Sequence, residues 1–196
     1  MPALKDNDIS SLPKYYAAVA QGSRNASFPM PSDLQTGTLL RTLAVLKPSG
    51  RFLELGTGTG LGVCWLLAGM DDSSTLTTVE SEGKWLKIAQ DSITDPRVTF
   101  VQSEGLAFLE GVPSESCDFI YADTWPGKYV GFEHSLRILK KGGLILLDDM
   151  LPQPNWPADH PPKVEKLIRE IDLLPEEQFK SVKMCWYTGH ILITKR

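Results

Sequence analysis

The chain has 196 residues, which is the size of one domain. Hydrophobic residues make up 42% and charged residues 22% of it, which excludes a collagen-like, disulfide-rich or wholly disordered protein. The net charge is −4 and the longest basic run is Lys140-Lys141, so we expect no nucleic acid partner.

Apolar stretches, the first residues of the chain and the cysteines indicate the compartment of the protein. No apolar stretch reaches about 18 residues, so we expect no membrane partner, and the first residues lack the pattern of a secretory signal. Cys64, Cys117 and Cys185 lie far apart, each in an apolar run, which predicts reduced buried thiols rather than a zinc site. Together these features predict a cytoplasmic protein.

The first 33 residues are predicted to form an N-terminal extension with a short helix near residues 15–20. Prolines at 29 and 31 end that helix, because proline restricts its own backbone and that of the residue before it. Ser32 or Asp33 can cap the next helix, whose leucines recur at helical spacing up to Leu46. We expect a single domain over residues 34–196.

Strands and helices then alternate along the chain. We predict strands at 51–55, 75–80, 97–102, 117–122 and 144–147, and helices at 61–70, 82–93, 104–110 and 129–139, with Gly142-Gly143 ending the last of these helices. A loop at 151–162 holds five prolines. A helix at 163–173 and strands at 179–187 and 190–195 follow, the two strands joined by a short turn.

This order predicts an α/β fold. Strands that alternate with helices form parallel sheets, with helices on both faces. The last strand should run antiparallel to its neighbour, because a short turn joins it to the strand before. We therefore expect a Rossmann-like, mostly parallel sheet of seven strands with an antiparallel last strand.

A glycine-rich turn follows the first predicted strand. Residues 54–62 read E-L-G-T-G-T-G-L-G. Such a turn lets a ligand approach the backbone and the N-terminus of the next helix. The dinucleotide-binding pattern G-x-G-x-x-G requires a glycine at its sixth position. Counted from Gly56 and from Gly58, that position holds Leu61 and Val63, so the spacing differs from the pattern. Glu54 would repel a diphosphate but attract an ammonium group, which favours S-adenosylmethionine over NAD.

Two further acids support an adenosine-containing cofactor. Glu80 ends the second predicted strand, where a carboxylate can accept hydrogen bonds from both ribose hydroxyls. Glu104 follows the third strand and could lie near the adenine. Alternatively, Ser103 caps a helix that has Glu104 in its first turn.

From about Met30 onward the chain resembles class I S-adenosylmethionine-dependent methyltransferases, and within them the small O-methyltransferases of the catechol and caffeoyl-CoA type. Besides the glycine turn, residues 117–129 read C-D-F-I-Y-A-D-T-W-P-G-K-Y, which is similar to an apolar strand followed by D-x-W-K-x-R-Y. Residues 139–149 read L-K-K-G-G-L-I-L-L-D-D, similar to L-x-x-G-G-x-x-x-x-D-N. The resemblance implies methylation of a hydroxyl on a small-molecule acceptor.

The resemblance also implies roles for individual residues. The cofactor would be bound by Glu54, Gly56, Thr57, Gly58, Gly60, Glu80, Ser81, Glu104, Gly105, Asp123 and Trp125. Asp123, Asp148 and Asp149 fall on positions that bind a divalent cation in metal-dependent members, and carboxylates suit Mg²⁺ or Ca²⁺. This chain departs from the pattern with Asp149 in place of asparagine, and with Pro126 in place of the lysine taken as general base.

The candidate catalytic residues are Asp123, Asp148, Lys128 and His160. With a metal, the acceptor hydroxyl would be bound by the cation. Without one, either carboxylate or His160, from the proline-rich loop, could act as general base, and Lys128 could replace the missing lysine. Trp156 and Trp125 could form apolar walls for a planar acceptor, or Trp156 could pack only on the protein itself.

Three other functions stay open. One is a methyltransferase-fold protein that binds the cofactor without catalysis, which the loss of the lysine at position 126 favours. Another is an NAD-dependent oxidoreductase, against which the glycine spacing argues. A nucleic-acid or protein methyltransferase is disfavoured, because no N-P-P-Y tetrad follows the fourth strand. The sequence leaves the oligomeric state open between monomer and homodimer.

Overall fold

The computed structural model describes Ile9 and residues 11–196. The rest of the predicted extension, residues 1–8 and 10, lies outside the described residues. The helices are α1 (Tyr16–Asn25), α2 (Leu34–Val45), α3 (Leu61–Gly69), α4 (Gly83–Ser92), α5 (Gly105–Gly111), α6 (Phe132–Ile138) and α7 (His160–Asp172). The strands are β1 (Arg51–Leu55), β2 (Thr75–Glu80), β3 (Val98–Gln102), β4 (Cys117–Ala122), β5 (Leu139–Leu147), β6 (Phe179–Met184) and β7 (His190–Lys195).

All seven strands form one sheet in the order β3-β2-β1-β4-β5-β7-β6. Strands β1 to β5 are parallel to one another, whereas β7 runs antiparallel to both β5 and β6. This confirms the predicted α/β fold. The strand order reverses between β1 and β4, and ligands of open α/β sheets bind in the crevice beyond the strand ends at such a point.

Successive side chains of the central strands pack into two separate hydrophobic cores, because side chains alternate between the faces of a sheet. Phe52 and Phe119 point to the face covered by α1, α2 and α3, where Trp65 is fully buried. Leu53 and Ile120 point to the opposite face, which is covered by α5, α6 and α7. Both faces of the sheet are therefore covered, as the composition of its strands predicts.

The chain before β1 packs onto this domain. Helix α1 contacts α3 and α4. Ser23, on α1, shares a 2.5 Å hydrogen bond with Thr59 of the glycine turn. Asp33 caps α2, because its Oδ1 accepts a 2.7 Å hydrogen bond from Thr36 N. The residues preceding the sheet thus reach the turn that follows its first strand.

The prediction around the fifth strand was wrong. Helix α6 begins at Phe132 and ends at Ile138, and β5 begins at Leu139, before Gly142-Gly143. Leu139 pairs with Cys117, after which the register shifts so that Leu144 pairs with Phe119. The two glycines therefore lie within an irregular strand and do not terminate a helix.

Two later boundaries also differ from the prediction. Helix α7 begins at His160, so Pro161 and Pro162 occupy its first turn, where a missing N–H is tolerated. Strand β6 ends at Met184, three residues before its predicted end at residue 187.

The three cysteines differ in exposure. Cys64 and Cys117 are buried as expected, but Cys185 is exposed, next to the edge strand β6. Within the described part of the chain, none of the helices is both long and apolar enough to span a membrane.

Candidate functional site

The glycine turn after β1 has a backbone that only glycine adopts readily. Gly56, Gly58 and Gly60 all have positive φ angles, of 96°, 51° and 99°. A Cβ on Gly56 would lie 2.8 Å from the main-chain oxygen of Asp123. Gly56 N and Thr57 N both donate to Val79 O of β2, at 2.9 and 3.2 Å. The turn is therefore fixed between the ends of β2 and β4.

Glu80 closes the turn from the end of β2. Its Oε2 accepts a hydrogen bond from Gly58 N at 2.9 Å, and its Oε1 accepts one from Glu82 N at 3.0 Å. A carboxylate held in this way at the end of the second strand is oriented towards ligands at the sheet edge.

A cleft of about 110 Å³ opens beside this carboxylate. It is lined by Leu55, Gly56, Val79, Glu80, Ser81, Ser103, Glu104, Gly105, Thr124 and Pro126. Five predicted cofactor residues are in this lining: Gly56, Glu80, Ser81, Glu104 and Gly105. Glu104 is the N-cap residue of α5, and no side chain caps that helix, so Ser103 does not have the capping role considered above.

Sequence reasoning missed Thr124 and Pro126 as lining residues. Both follow β4, whose end lies next to the end of β1 in the sheet. Pro126 packs close to Gly105, where an added Cβ would lie 2.6 Å from the Cβ of Pro126. Their place after the predicted fourth strand was the available clue, because parallel strands end at one edge.

Glu54, also predicted to contact the cofactor, lies beneath the turn and outside the cleft lining. Its side chain is buried, and its Oε2 accepts a 2.5 Å hydrogen bond from Thr78 Oγ1. A Cβ on Gly62 would lie 2.2 Å from Glu54 Oε1. Burial raises the pKa of Glu54 to about 8. Its role in cofactor binding stays a prediction.

Other predicted cofactor residues also lie outside the cleft lining. Thr57 is buried and shares a 2.6 Å hydrogen bond with Thr78. Gly60 is the N-cap of α3 and packs on α4, because a Cβ there would lie 2.9 Å from the Cβ of Ala89. These residues shape the turn from behind.

Gly58 is covered by a phenyl ring. A Cβ on Gly58 would lie 2.9 Å from Phe28 Cζ, and the Phe28 ring packs edge-on against Trp85 of α4, with centroids 4.9 Å apart. A few residues later, Ser32 Oγ donates to Asp123 Oδ2 at 3.4 Å. The segment between α1 and α2 therefore crosses from the glycine turn to the end of β4.

Asp148, at the end of β5, is buried and surrounded by donors. Its Oδ1 accepts hydrogen bonds from Thr188 Oγ1 at 2.7 Å and Asp149 N at 2.6 Å, and lies 3.2 Å from His190 Nε2. Its Oδ2 accepts one from Tyr121 OH at 2.8 Å. Burial alone would raise the pKa of Asp148, but His190 and the two hydroxyls lower it below its usual value.

The two other acids have different surroundings. Burial and the neighbouring charge of Asp148 raise the pKa of Asp123 well above its usual value. Asp149 has a left-handed backbone with φ of 58°, and its Oδ2 accepts a 2.7 Å hydrogen bond from Trp156 Nε1. Burial raises the pKa of Asp149 too.

These acids do not fit the predicted divalent cation. Across Ile9 and residues 11–196, no three His, Cys, Asp or Glu side chains form a group that could hold a metal ion. Both oxygens of Asp148 already accept hydrogen bonds from the protein. No catalytic step through a metal ion is therefore derived from Asp123, Asp148 and Asp149.

Lys128 lies among the three acids with its side chain almost fully buried, at 2% exposure. Its Nζ donates to the main-chain oxygen of Asp148 at 2.8 Å and lies 4.8 Å from the centre of the Tyr129 ring. Burial lowers the pKa of Lys128, and the charges of Asp123 and the two neighbouring acids oppose that shift.

An aromatic wall stands beside Lys128, formed by Trp125, Tyr129, Trp156 and His160. The Trp156 and His160 rings are stacked, with centroids 4.0 Å apart and planes 13° from parallel. Tyr129 OH and His160 Nε2 are 2.9 Å apart, and the Trp125 ring centre lies 5.9 Å from that of His160. Burial lowers the pKa of His160, which favours the neutral ring.

A family model described as a methyltransferase domain matches residues 53–150. A curated protein of Mycobacterium ulcerans (strain Agy99), named "Putative O-methyltransferase", is 30% identical over 117 residues, covering 57% of this chain and 52% of that protein. The chain thus spans about half the length of the curated relatives it matches.

Solved structures show a likeness of fold. An O-methyltransferase from Bacillus cereus, in complex with S-adenosylhomocysteine (SAH), superposes with a TM-score of 0.80 at 22% identity, covering 97% of this chain and 94% of that chain. The O-methyltransferase TomG from Streptomyces achromogenes, involved in tomaymycin synthesis and in complex with S-adenosylmethionine (SAM), gives 0.80 at 20% identity, covering 97% and 93%.

Proposed function

This chain belongs to the family of methyltransferase domains, and from that premise we propose that it transfers a methyl group from SAM to a hydroxyl of a small-molecule acceptor. The name of the Mycobacterium ulcerans relative supports oxygen as the methylated atom. One observation carries the proposal: the carboxylate of Glu80 stands in the cleft at the end of β2, against the glycine turn.

In this proposal the cleft holds the nucleoside part of the cofactor. Glu80 accepts hydrogen bonds from the ribose hydroxyls, and Glu104 and Ser103 flank the adenine together with Pro126. The glycine turn borders the cleft at Gly56. Glu54 supports the turn from below through its bond to Thr78, since its side chain is buried there.

When bound, SAM supplies a methyl group activated by its sulfonium. The protein must then align the acceptor oxygen, exclude water and remove the hydroxyl proton. Asp148 is poorly suited as the proton acceptor, because His190 and the hydroxyls of Thr188 and Tyr121 hold its pKa below its usual value. Asp123 and the neutral His160 remain the candidate bases.

We propose a planar acceptor that lies against the aromatic wall. Trp125 is 37% exposed, whereas Trp156 is half-buried and held by Asp149, so the wall combines an accessible ring with a fixed one. Rigid aromatic rings favour flat apolar ligands. The free state of the three cysteines supports a reducing compartment, and we propose the cytoplasm.

The test is a calorimetric titration of the full chain with SAH, followed by a methyl-transfer assay with a panel of hydroxylated aromatic acceptors. We expect stoichiometric SAH binding and transfer to at least one acceptor. The absence of any binding would refute the proposal. Binding with no transfer across the panel would instead favour a cofactor-binding protein without catalysis. Binding of NADH in place of SAH would favour an oxidoreductase.

A further inference from the structure

We propose that the segment from Phe28 to Ser32, here called the strap, is a gate that keeps the amino-acid end of the cofactor site closed until SAM enters. The inference rests on the proposed binding of SAM and deepens it. The nucleoside end finds an open place beside Glu80, whereas the amino-acid end must displace the strap. Phe28 then limits how fast the cofactor binds.

The first argument is the size of the open cleft. Its volume is about 110 Å³, whereas small-molecule sites usually measure roughly 300–1,000 Å³. The cleft lining includes Glu80 and Gly56 but stops short of Gly58, the next glycine of the turn. A nucleoside that carries a whole amino acid therefore needs more room than this cleft gives.

The second argument is the path that the cofactor must follow. Strand β1 lies between β2 and β4 in the sheet, so a ligand that reaches from Glu80 to Asp123 crosses the turn after β1. The strap lies across that path, with the Phe28 ring on Gly58 and Ser32 Oγ donating to Asp123 Oδ2 at 3.4 Å. A Cβ on Gly58 would lie 2.9 Å from Phe28 Cζ, so no ligand atom fits between the ring and the turn.

The third argument is that the strap is held weakly between two firm ends. Phe28 N donates to Ser23 O of α1 at 2.9 Å, and Asp33 caps α2. Between these ends, residues 29–31 are exposed. Within the described part of the chain, residues 29–32 donate no hydrogen bond to another main-chain group. Segments with exposed backbone and few buried contacts open locally at a low free-energy cost.

One aromatic pair holds the gate closed. The Phe28 ring packs edge-on against Trp85 of α4, with centroids 4.9 Å apart. Such a pair contributes little enough to stability to be broken when a ligand enters. The apparent affinity for the cofactor is then reduced in proportion to the fraction of chains in which the strap is open.

The test uses two probes on the full chain: adenosine, which lacks the amino acid, and SAH, which carries it. Association rates are measured by stopped-flow tryptophan fluorescence and affinities by calorimetry. Phe28→Ala removes the ring, and Ser32→Ala removes the bond to Asp123. Met30→Ala is the matched control, because Met30 belongs to the strap but is 63% exposed.

In the wild type, the observed rate of SAH association should level off at high SAH concentration, because opening of the strap then limits it. Phe28→Ala should raise the association rate and the affinity for SAH about 3- to 10-fold, and Ser32→Ala about twofold. Met30→Ala should match the wild type. Adenosine affinity should stay unchanged in every variant, which also shows that the variants are folded.

Two results would overturn the gate. One is equal SAH association by Phe28→Ala and by the wild type. The other is weaker SAH binding with faster dissociation in Phe28→Ala, since the ring would then hold the cofactor and not exclude it. If Phe28→Ala loses adenosine binding as well, Ser32→Ala decides the question in the same way.

The two probes also separate this inference from the proposed function. Failure of the wild type to bind either adenosine or SAH would refute the proposed function and the gate together. SAH binding that Phe28→Ala and Ser32→Ala leave unchanged would refute the gate alone.

Discussion

Glu80 Oε2 accepts a hydrogen bond from Gly58 N at 2.9 Å, which joins the end of β2 to the glycine turn. The carboxylate proposed to bind the ribose is therefore also the one that fixes the turn. The proposed cofactor binding and the turn geometry thus depend on a single side chain.

We predict that Glu80→Ala weakens SAH affinity by about 10- to 100-fold, since it removes charge-assisted hydrogen bonds. Glu80→Gln should lose less, because the amide oxygen can still accept from Gly58 N. Isothermal titration calorimetry measures both. Glu82→Gln is the control, since only the main chain of Glu82 contacts Glu80. Equal affinities for wild type and Glu80→Ala would contradict the ribose assignment.

Gly56→Ala should destabilise the fold as well as the cleft. The positive φ costs an alanine about 1–2 kcal/mol, and its Cβ would approach Asp123 O to 2.8 Å, where main-chain atoms cannot easily move. We expect the melting temperature to fall by roughly 2–8 °C. Gly111→Ala is the matched control, because a Cβ there has no atom within 4 Å. Similar melting curves for the two variants would show that the turn tolerates a side chain.

Glu54 makes stability depend on pH. Its pKa is about 8 in the folded chain and near 4.3 when unfolded, so its favourable contribution is complete below the lower value. That contribution is lost as pH rises from the lower value to about 8, because over this range only the unfolded chain ionises readily at Glu54. Glu54→Gln should remove this loss and flatten the fall of the melting temperature between pH 5 and 8 by roughly 7–14 °C, for about 3.5 kcal/mol.

Thermal denaturation monitored by circular dichroism at several pH values measures this difference. Glu110→Gln is a suitable control, since Glu110 is an exposed acid on α5. A pH dependence of Glu54→Gln as steep as that of wild type would mean that Glu54 ionises normally.

Trp156→Phe tests the aromatic wall. The change keeps a ring to stack on His160 but removes the N–H that donates to Asp149. We expect a loss of about 1 kcal/mol in stability and a higher acceptor KM, with SAH affinity unchanged. Steady-state kinetics and calorimetry separate the two effects. A change in SAH affinity with an unchanged acceptor KM would place Trp156 at the cofactor instead.

Much of the sheet could be predicted from the sequence. The predicted bounds of β1, β2, β4 and β7 match the structure, because apolar or β-branched runs are bounded there by turn-forming residues. The start of β5 could not be predicted, since Leu139 joins the sheet through pairing with Cys117 across a register shift. That pairing depends on the neighbouring strand and not on the local glycines.

Some features of the candidate site could also be predicted from the sequence, and others could not. Glu80 and Gly56 could be placed at the cleft, because strand ends and glycine spacing are visible in the sequence. The burial of Lys128 and the stacking of Trp156 on His160 could not, since α7 and the loop after β4 meet only in the folded chain. The burial of Glu54 could not be predicted either, because the sequence does not show to which side of the turn its side chain points.

The Phe28 ring comes from a segment before the sheet and yet covers Gly58 of the glycine turn. The recognised family region begins only at residue 53. An expression fragment trimmed to that region would leave the turn uncovered and remove α1 and α2 from one face of the sheet. Measurements of cofactor affinity on such a shortened protein would describe a damaged pocket, so the leading helices belong to the working unit of this protein.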